Sequence, residues 1–250
     1  MKVRTFLEKY HNGNLDSEDD NDHVNYMKLV SLVSKGRVEN VVEHFRRYPD
    51  TDVNGYKYIN KYEWGETNPL QNACRRKDRK MIRILLAHPD IDVNAWDQVG
   101  NPPIASGNKE TKLMLLTNPY IDPKTKEDGG YRVFQHIDIY DDVELTTAFN
   151  EYKEDPWTTS RKISKKIGMA YDVSIVFALV VFFCDGYLRL NSDSTREECR
   201  FFNIMKRLPI ELQKIVCHRV CYSDEEQISG KDAEIAFQHV LLTYRIMGYD

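Results

Sequence analysis

The chain of 250 residues is 41% hydrophobic and 30% charged, and its formal net charge at pH 7 is −4. Because no basic charge dominates, nucleic acid is not expected as the main partner. The five cysteines are odd in number, and the opening residues lack the apolar segment of a secretion signal. We therefore expect reduced thiols and a cytoplasmic or nuclear location.

The first 23 residues predict an N-terminal helix followed by an acidic loop. The acidic run extends from Asp16 to Asp22. A run of like charges of this kind is typical of a solvated loop. Recognition of a basic partner by this run is the alternative.

A short phrase then returns three times, each time after an apolar stretch. It centres on Asp52, Asp92 and Asp122, so the copies lie 40 and then 30 residues apart. Repetition at such a period predicts stacked units that bury their apolar faces only against their neighbours. The copies occupy residues 47–54, 87–94 and 117–123.

The second unit has the clearest internal pattern. Thr67 or Asn68 is suited to cap a helix whose first position is Pro69, where the missing N–H costs nothing. A second helix follows and is stopped by Pro89, because proline cannot continue the helical hydrogen bonds. We expect the apolar residues of both helices to be buried between stacked units. These residues are Leu70, Ala73 and Cys74 in the first helix, and Met81, Ile82, Leu85 and Leu86 in the second.

These features resemble the ankyrin repeat, with its Thr-Pro-Leu opening, Leu-Leu helix and Asp-Val-Asn hairpin. The resemblance covers residues 24–125. The first unit lacks the opening, and Gly107 cuts short the first helix of the third. The expected fold is all-α: a short solenoid of about three repeats with atypical ends, followed by a C-terminal helical module.

The ankyrin resemblance implies a scaffold that binds another protein through hairpin tips and the concave face of the first helices. Aromatic and arginine side chains are the usual anchors of such interfaces. Alternatively, some of the rings pack against their own repeat. The candidate partner-binding residues are Tyr56, Tyr58, Tyr62, Trp64, Gln71, Asn72, Arg75, Trp96 and Asp97.

Residues 126–160 predict a packed connection, and residues 161–250 a helical module. An apolar run at 173–184 is too short to span a membrane, which needs about 20 residues, and predicts a buried helix. Near the end, the run from Leu208 to Val216 resembles the opening of an F-box, Leu-Pro-x-Glu-Leu. The same order of parts is similar to ankyrin proteins of poxviruses and other large DNA viruses, which would place the chain in a host cell.

The F-box resemblance implies an alternative function, a substrate adaptor that recruits a ubiquitin ligase through a Skp-type partner. Its docking residues would be Leu208, Pro209, Glu211, Leu212 and Ile215. In the competing interpretation this helix only packs, and Phe177, Phe182 and the final helix cover its apolar face. We expect packing, which full burial of Leu208, Pro209 and Leu212 would support and an open apolar strip would contradict.

No pattern of catalytic residues is recognisable, so we expect neither enzymatic activity nor a cofactor. The one cluster with ligand-like spacing is Cys217, His218 and Cys221, with Cys199 upstream. It contains no Cys-x-x-Cys pair, so we expect no metal site and a chain that folds without zinc.

Overall fold

The computed structural model describes residues 22–55, 68–97, 101–124, 142–188, 196–221, 223 and 228–247. Within these ranges every regular element is a helix and no strand occurs. The prediction of an all-α chain is therefore confirmed for the described residues. They divide into two compact units, residues 22–167 with 245–247, and residues 168–244.

The described residues contain eleven α-helices and one 3-10 helix. In the first unit these are α1 (Asp22–Ser34), α2 (Val38–Arg47), α3 (Pro69–Arg76), α4 (Arg79–Ala87), the 3-10 helix (Pro103–Ala105), α5 (Lys109–Leu115), α6 (Val143–Glu154) and α7 (Pro156–Ile167). The second unit contains α8 (Asp172–Cys184), α9 (Arg196–Met205), α10 (Ile210–Val220) and most of α11 (Gly230–Ile246).

The helices of the first unit stack in two rows. In one row α1 packs against α3, and α3 packs against the 3-10 helix. In the other row α2 packs against α4, and α4 packs against α5. Leu85 and Ala73 are fully buried, as predicted, whereas Leu86 is only partly buried. Each helix pair thus covers the apolar face of the next.

Local sequence signals set the helix ends in this stack. The side chain of Asn68 accepts from the Gln71 N–H at 2.7 Å and caps α3, whose first residue is Pro69. In the third repeat the first helix is reduced to the 3-10 helix. Gly107 follows with φ +82°, and a Cβ there would come within 2.7 Å of the Cys74 carbonyl oxygen. Only glycine fits this position without a shift of its neighbours.

Helices α6 and α7 pack against each other and against α5. The hydroxyl of Tyr152 donates to the carbonyl of Asn118 at 2.7 Å and accepts from the Ile121 N–H at 3.1 Å. Burial raises the pKa of Tyr152, so the phenol stays neutral and can fill both roles. Residues 161–167, which the sequence analysis placed in the C-terminal module, complete α7 of the first unit.

The core of the second unit is built around α8, which packs against α9 and α10. The ring of Phe182 meets Phe237 of α11 at a centroid distance of 5.5 Å, and Phe183 meets Phe202 of α9 at 4.7 Å. These ring contacts cover the C-terminal end of the apolar run of α8.

Candidate protein-binding surfaces

Two asparagines tie the repeated loops of the first unit together. Asn54 donates from Nδ2 to the carbonyl of Asp90 at 2.8 Å, and its Oδ1 accepts from the Asp92 N–H at 2.8 Å. Asn94 makes the same pair of hydrogen bonds in the next repeat. Its amide donates to the carbonyl of Tyr120 at 2.8 Å and accepts from the Asp122 N–H at 2.8 Å. We call these two side chains the asparagine clamps.

The aspartates of the same phrase shape each loop from within. The carboxylate of Asp52 accepts from the Asn54 N–H at 3.0 Å, and that of Asp92 accepts from the Asn94 N–H at 2.8 Å. This local turn presents the asparagine to the next loop. The third copy keeps the turn at Asp122 but has Lys124 where the others have asparagine, so the clamps end there. We call the loops of residues 48–55, 88–97 and 117–124 the loop edge.

Two of the predicted binding residues lie within the stack. Gln71 is fully buried, and its Nε2 donates to the carbonyl of Asn101 at 3.2 Å. It has no surface to offer a partner, and its role is structural. Asn72 is partly buried and donates to the hydroxyl of Ser34 at 3.0 Å. That bond links α3 to α1.

The other described candidates lie at the loop edge and beside it. Trp96 is 51% exposed. Asp97 is buried and forms a salt bridge with Arg75 at 3.2 Å, while its Oδ1 accepts from the Asn101 N–H at 2.8 Å. Asp97 thus holds its loop closed, and Arg75 keeps about half of its side-chain surface open. The four aromatic candidates Tyr56, Tyr58, Tyr62 and Trp64 lie outside the described residues.

Two further aromatic residues of this unit are exposed and were missed by the sequence analysis. Tyr120 is 51% exposed and Trp157 is 40% exposed, and their rings meet edge to face at 5.6 Å. The backbone of Tyr120 is bound by the Asn94 clamp, which lies two residues before Trp96. The clue in the sequence was Tyr120 at the position held by an aspartate in the other two copies.

The C-terminal candidates lie on an open helix face. Pro209 and Glu211 are exposed, Leu212 is 45% exposed and Ile215 is 43% exposed. Leu208 is partly buried and lies before the first turn of α10. The expectation that Phe177, Phe182 and the final helix cover this face is therefore wrong. The rings of α8 pack against Phe237 and Phe202 instead, which leaves the strip uncovered.

The opposite face of α10 holds the helix in place. Gln213 is buried, and its amide donates to the carbonyls of Met205 and Leu208 at 3.0 Å each. These carbonyls belong to the end of α9 and the turn after it, where the Met205 carbonyl also accepts from the Leu208 N–H at 3.1 Å. Cys217 is fully buried beside it. One face of α10 is thus fixed while the other is open.

The described residues contain no group of three or more His, Cys, Asp or Glu side chains that could hold a metal ion. Burial raises the pKa of Cys217 to about 12, which disfavours the thiolate that a metal or a substrate would need. Cys74 is likewise buried, with its pKa raised to about 12. No single helix among the described residues is long and apolar enough to cross a membrane. Helices α7 and α8 reach the required length and apolar composition only when they are counted together.

Comparisons with protein-family models, with curated proteins and with solved structures found no match to this chain.

Proposed function

We propose that the chain is a protein-interaction scaffold whose first unit is a short ankyrin-like array. The support is the repeated phrase itself: in two successive loops an aspartate forms the turn and an asparagine clamps the next loop, with near-equal distances. The helix contacts follow the same order, first helix to first helix and second to second. These contacts are the ones that stacked repeats require.

The partner surface in this proposal is the loop edge with its exposed aromatic residues. Trp96, Tyr120 and Trp157 are the large aromatic side chains of the described part of this unit that remain 40% exposed or more. An exposed aromatic ring has much apolar area to bury and few rotamers to lose when a partner binds. The observation that carries the proposal is the exposure of Trp96 and Tyr120 on loops joined by the clamps, with Trp157 of α7 in ring contact with Tyr120.

Affinity purification of the tagged chain from cells, followed by mass spectrometry, tests the scaffold. We expect Trp96→Ala to lose at least one captured protein, with binding weakened by about 2 kcal/mol and thermal stability unchanged. Tyr187→Ala is the matched control, because Tyr187 is 75% exposed in the second unit. Equal recovery by both variants would count against the loop edge as the binding surface.

A second function is favoured by the open face of α10. We propose that the scaffold also acts as an adaptor, in which Leu208, Leu212 and Ile215 dock a Skp-type protein of a ubiquitin ligase. Leu212 and Ile215 are three residues apart in α10 and form a short apolar stripe of the kind that a partner helix or groove receives, and Leu208 lies just before it in the chain. The hydrogen bonds of Gln213 fix the opposite face, so the stripe is presented without rearrangement.

A pull-down with a purified Skp-type adaptor separates the two functions. Leu212→Asp places a charge in the docking stripe and is expected to abolish capture while the chain stays folded, because the residue is already 45% exposed. Leu241→Asp is the control: Leu241 is 47% exposed and lies in a different helix, α11. Failure of the wild-type chain to bind would remove the adaptor function and leave the scaffold standing.

A further inference from the structure

The turns between paired helices lie at the end of the stack opposite to the loop edge. Helix α3 ends at Arg76 and α4 begins at Arg79, so only two residues form the turn. Because α4 has nine residues, the turn and the loop edge are about 13 Å apart. The turn between α1 and α2 is its neighbour, since a Cβ on Gly36 would lie 3.5 Å from Nη2 of Arg76. We call residues 35–37 and 76–80 the turn edge.

One residue of the turn edge has an unusual backbone. Lys77 has φ +58° and is the only non-glycine residue with positive φ in the described part of the chain. The corresponding turns before α2 and α5 use Gly36 at φ +65° and Gly107 at φ +82°. The left-handed region disfavours any residue with a Cβ, and a lysine gains nothing there from local hydrogen bonding. The backbone conformation therefore gives no reason for a lysine here, and what Lys77 adds to the turn is its charge.

The turn edge carries more basic than acidic residues. Its acids are already engaged: Asp78 caps α4 by accepting from the Met81 N–H at 3.1 Å, and the nearby Glu110 pairs with Arg79 at 2.9 Å. Glu39, two residues after Arg37, lies in the first turn of α2. Five exposed basic residues have no salt bridge within the described residues. They are Lys35, Arg37, Arg76, Lys77 and Lys80.

We infer that the turn edge binds an acidic segment of a partner protein. Neighbouring helix pairs in a stack are about 10 Å apart, and an extended chain advances about 10 Å in three residues. An acidic segment that runs along the stack, from one turn to the next, can thus present a carboxylate to each turn. The segment would pair with the unpaired cations of both turns and reduce their mutual repulsion.

A protein fits this surface better than a nucleic acid does. No aromatic residue occurs among residues 35–37 and 76–80, so bases would find no ring to stack on. The whole chain carries a formal net charge of −4, which opposes the long phosphate backbone more than a short acidic peptide.

The test is fluorescence anisotropy with a labelled peptide of ten glutamates at about 50 mM salt, where exposed charges are weakly screened. The key variant replaces Lys77 by Gly together with Arg76→Gln and Lys80→Gln. Glycine suits the left-handed turn, so this variant keeps the fold while three charges are lost. We expect affinity to fall about eightfold, about twofold for each lost ion pair.

The control variant makes the same change in net charge elsewhere in the unit, by Lys124→Gln, Lys153→Gln and Lys162→Gln. It is expected to bind within about twofold of the wild type. Lys77→Gly alone should raise thermal stability while it lowers affinity, a combination that a purely structural lysine would not produce. Equal loss in both triple variants, no binding by the wild type, or tighter binding of a DNA duplex than of the peptide would each overturn the inference.

Discussion

The asparagine clamps give the sharpest test of how the first unit is held together. Asn54 is buried, with only 9% of its surface exposed. Its amide both donates to and accepts from the following loop, at 2.8 Å each. Asn54→Ala removes both bonds and leaves the Asp90 carbonyl and the Asp92 N–H without this partner. Each net bond contributes about 1 kcal/mol, and a buried unpaired group costs more, so the expected loss is about 2–3 kcal/mol.

Asn94→Ala is expected to cost less, about 1 kcal/mol, because its two bonds are exposed and water replaces them. Asn54→Asp is the informative intermediate. It keeps an acceptor for the Asp92 N–H but places a carboxylate oxygen against the Asp90 carbonyl, so it should destabilise nearly as much as Ala. Only an amide side chain can serve both partners.

The measurement is urea unfolding of the full chain, with Asn150→Ala as control. Asn150 is exposed on α6, and its side-chain oxygen accepts from the Lys153 ammonium at 3.2 Å. We expect the order Asn54→Ala, Asn94→Ala, Asn150→Ala from largest to smallest loss. Equal effects for Asn54 and Asn150 would show that the clamps do not hold the stack, and the reasoning from the repeated phrase would fail.

Two further changes test the core and its pH dependence. Leu85→Ala, at a fully buried site, should lower the free energy of unfolding by about 2–5 kcal/mol in urea titrations, whereas an effect below about 1 kcal/mol would contradict its place between stacked units. Burial, with the Lys28 charge as a smaller cause, lowers the pKa of His44 to about 4 from 6.5. The depressed pKa means that stability is present above pH 6.5 and lost as pH falls toward 4, by about 2 kcal/mol between pH 6.5 and 4.5. His44→Leu should remove that part of the pH dependence, and an unchanged profile would refute the assignment.

The local structure of the repeats was predictable because it depends on residues close in sequence. Pro69 after Asn68 specifies the start of α3, and the stripe that contains Leu85 specifies a buried helix face. Position 107, after the shortened helix of the third repeat, requires glycine because its neighbours leave no space for a Cβ. Caps, periodicity and positive φ act within a few residues, so a single sequence reveals them.

Contacts between distant residues were not predictable in the same way. Gln71 was expected on the surface because it is polar, yet the carbonyl of Asn101, thirty residues later, satisfies its amide within the stack. The face with Leu212 was expected to be covered because α8 needs apolar partners. Phe202 and Phe237 supply them, so α10 needs to bury only its other face. Hydrophobicity predicts that α8 is covered, but not which of several apolar segments covers it.

The end of the stack at the third repeat is closed by two helices. The third copy has Pro123 and Lys124 in place of Val and Asn, so its loop offers no clamp to a further unit. Helices α6 and α7 cover this end instead, through Tyr152 and through Ser160, whose hydroxyl donates to the Leu116 carbonyl at 2.8 Å. A stack closed in this way cannot be extended there by another repeat. The loop edge and the turn edge run along the stack rather than across its closed end, and they differ in chemistry, the first aromatic and the second basic. Under the two proposals, the stack binds one protein segment at its loop edge and an acidic one at its turn edge.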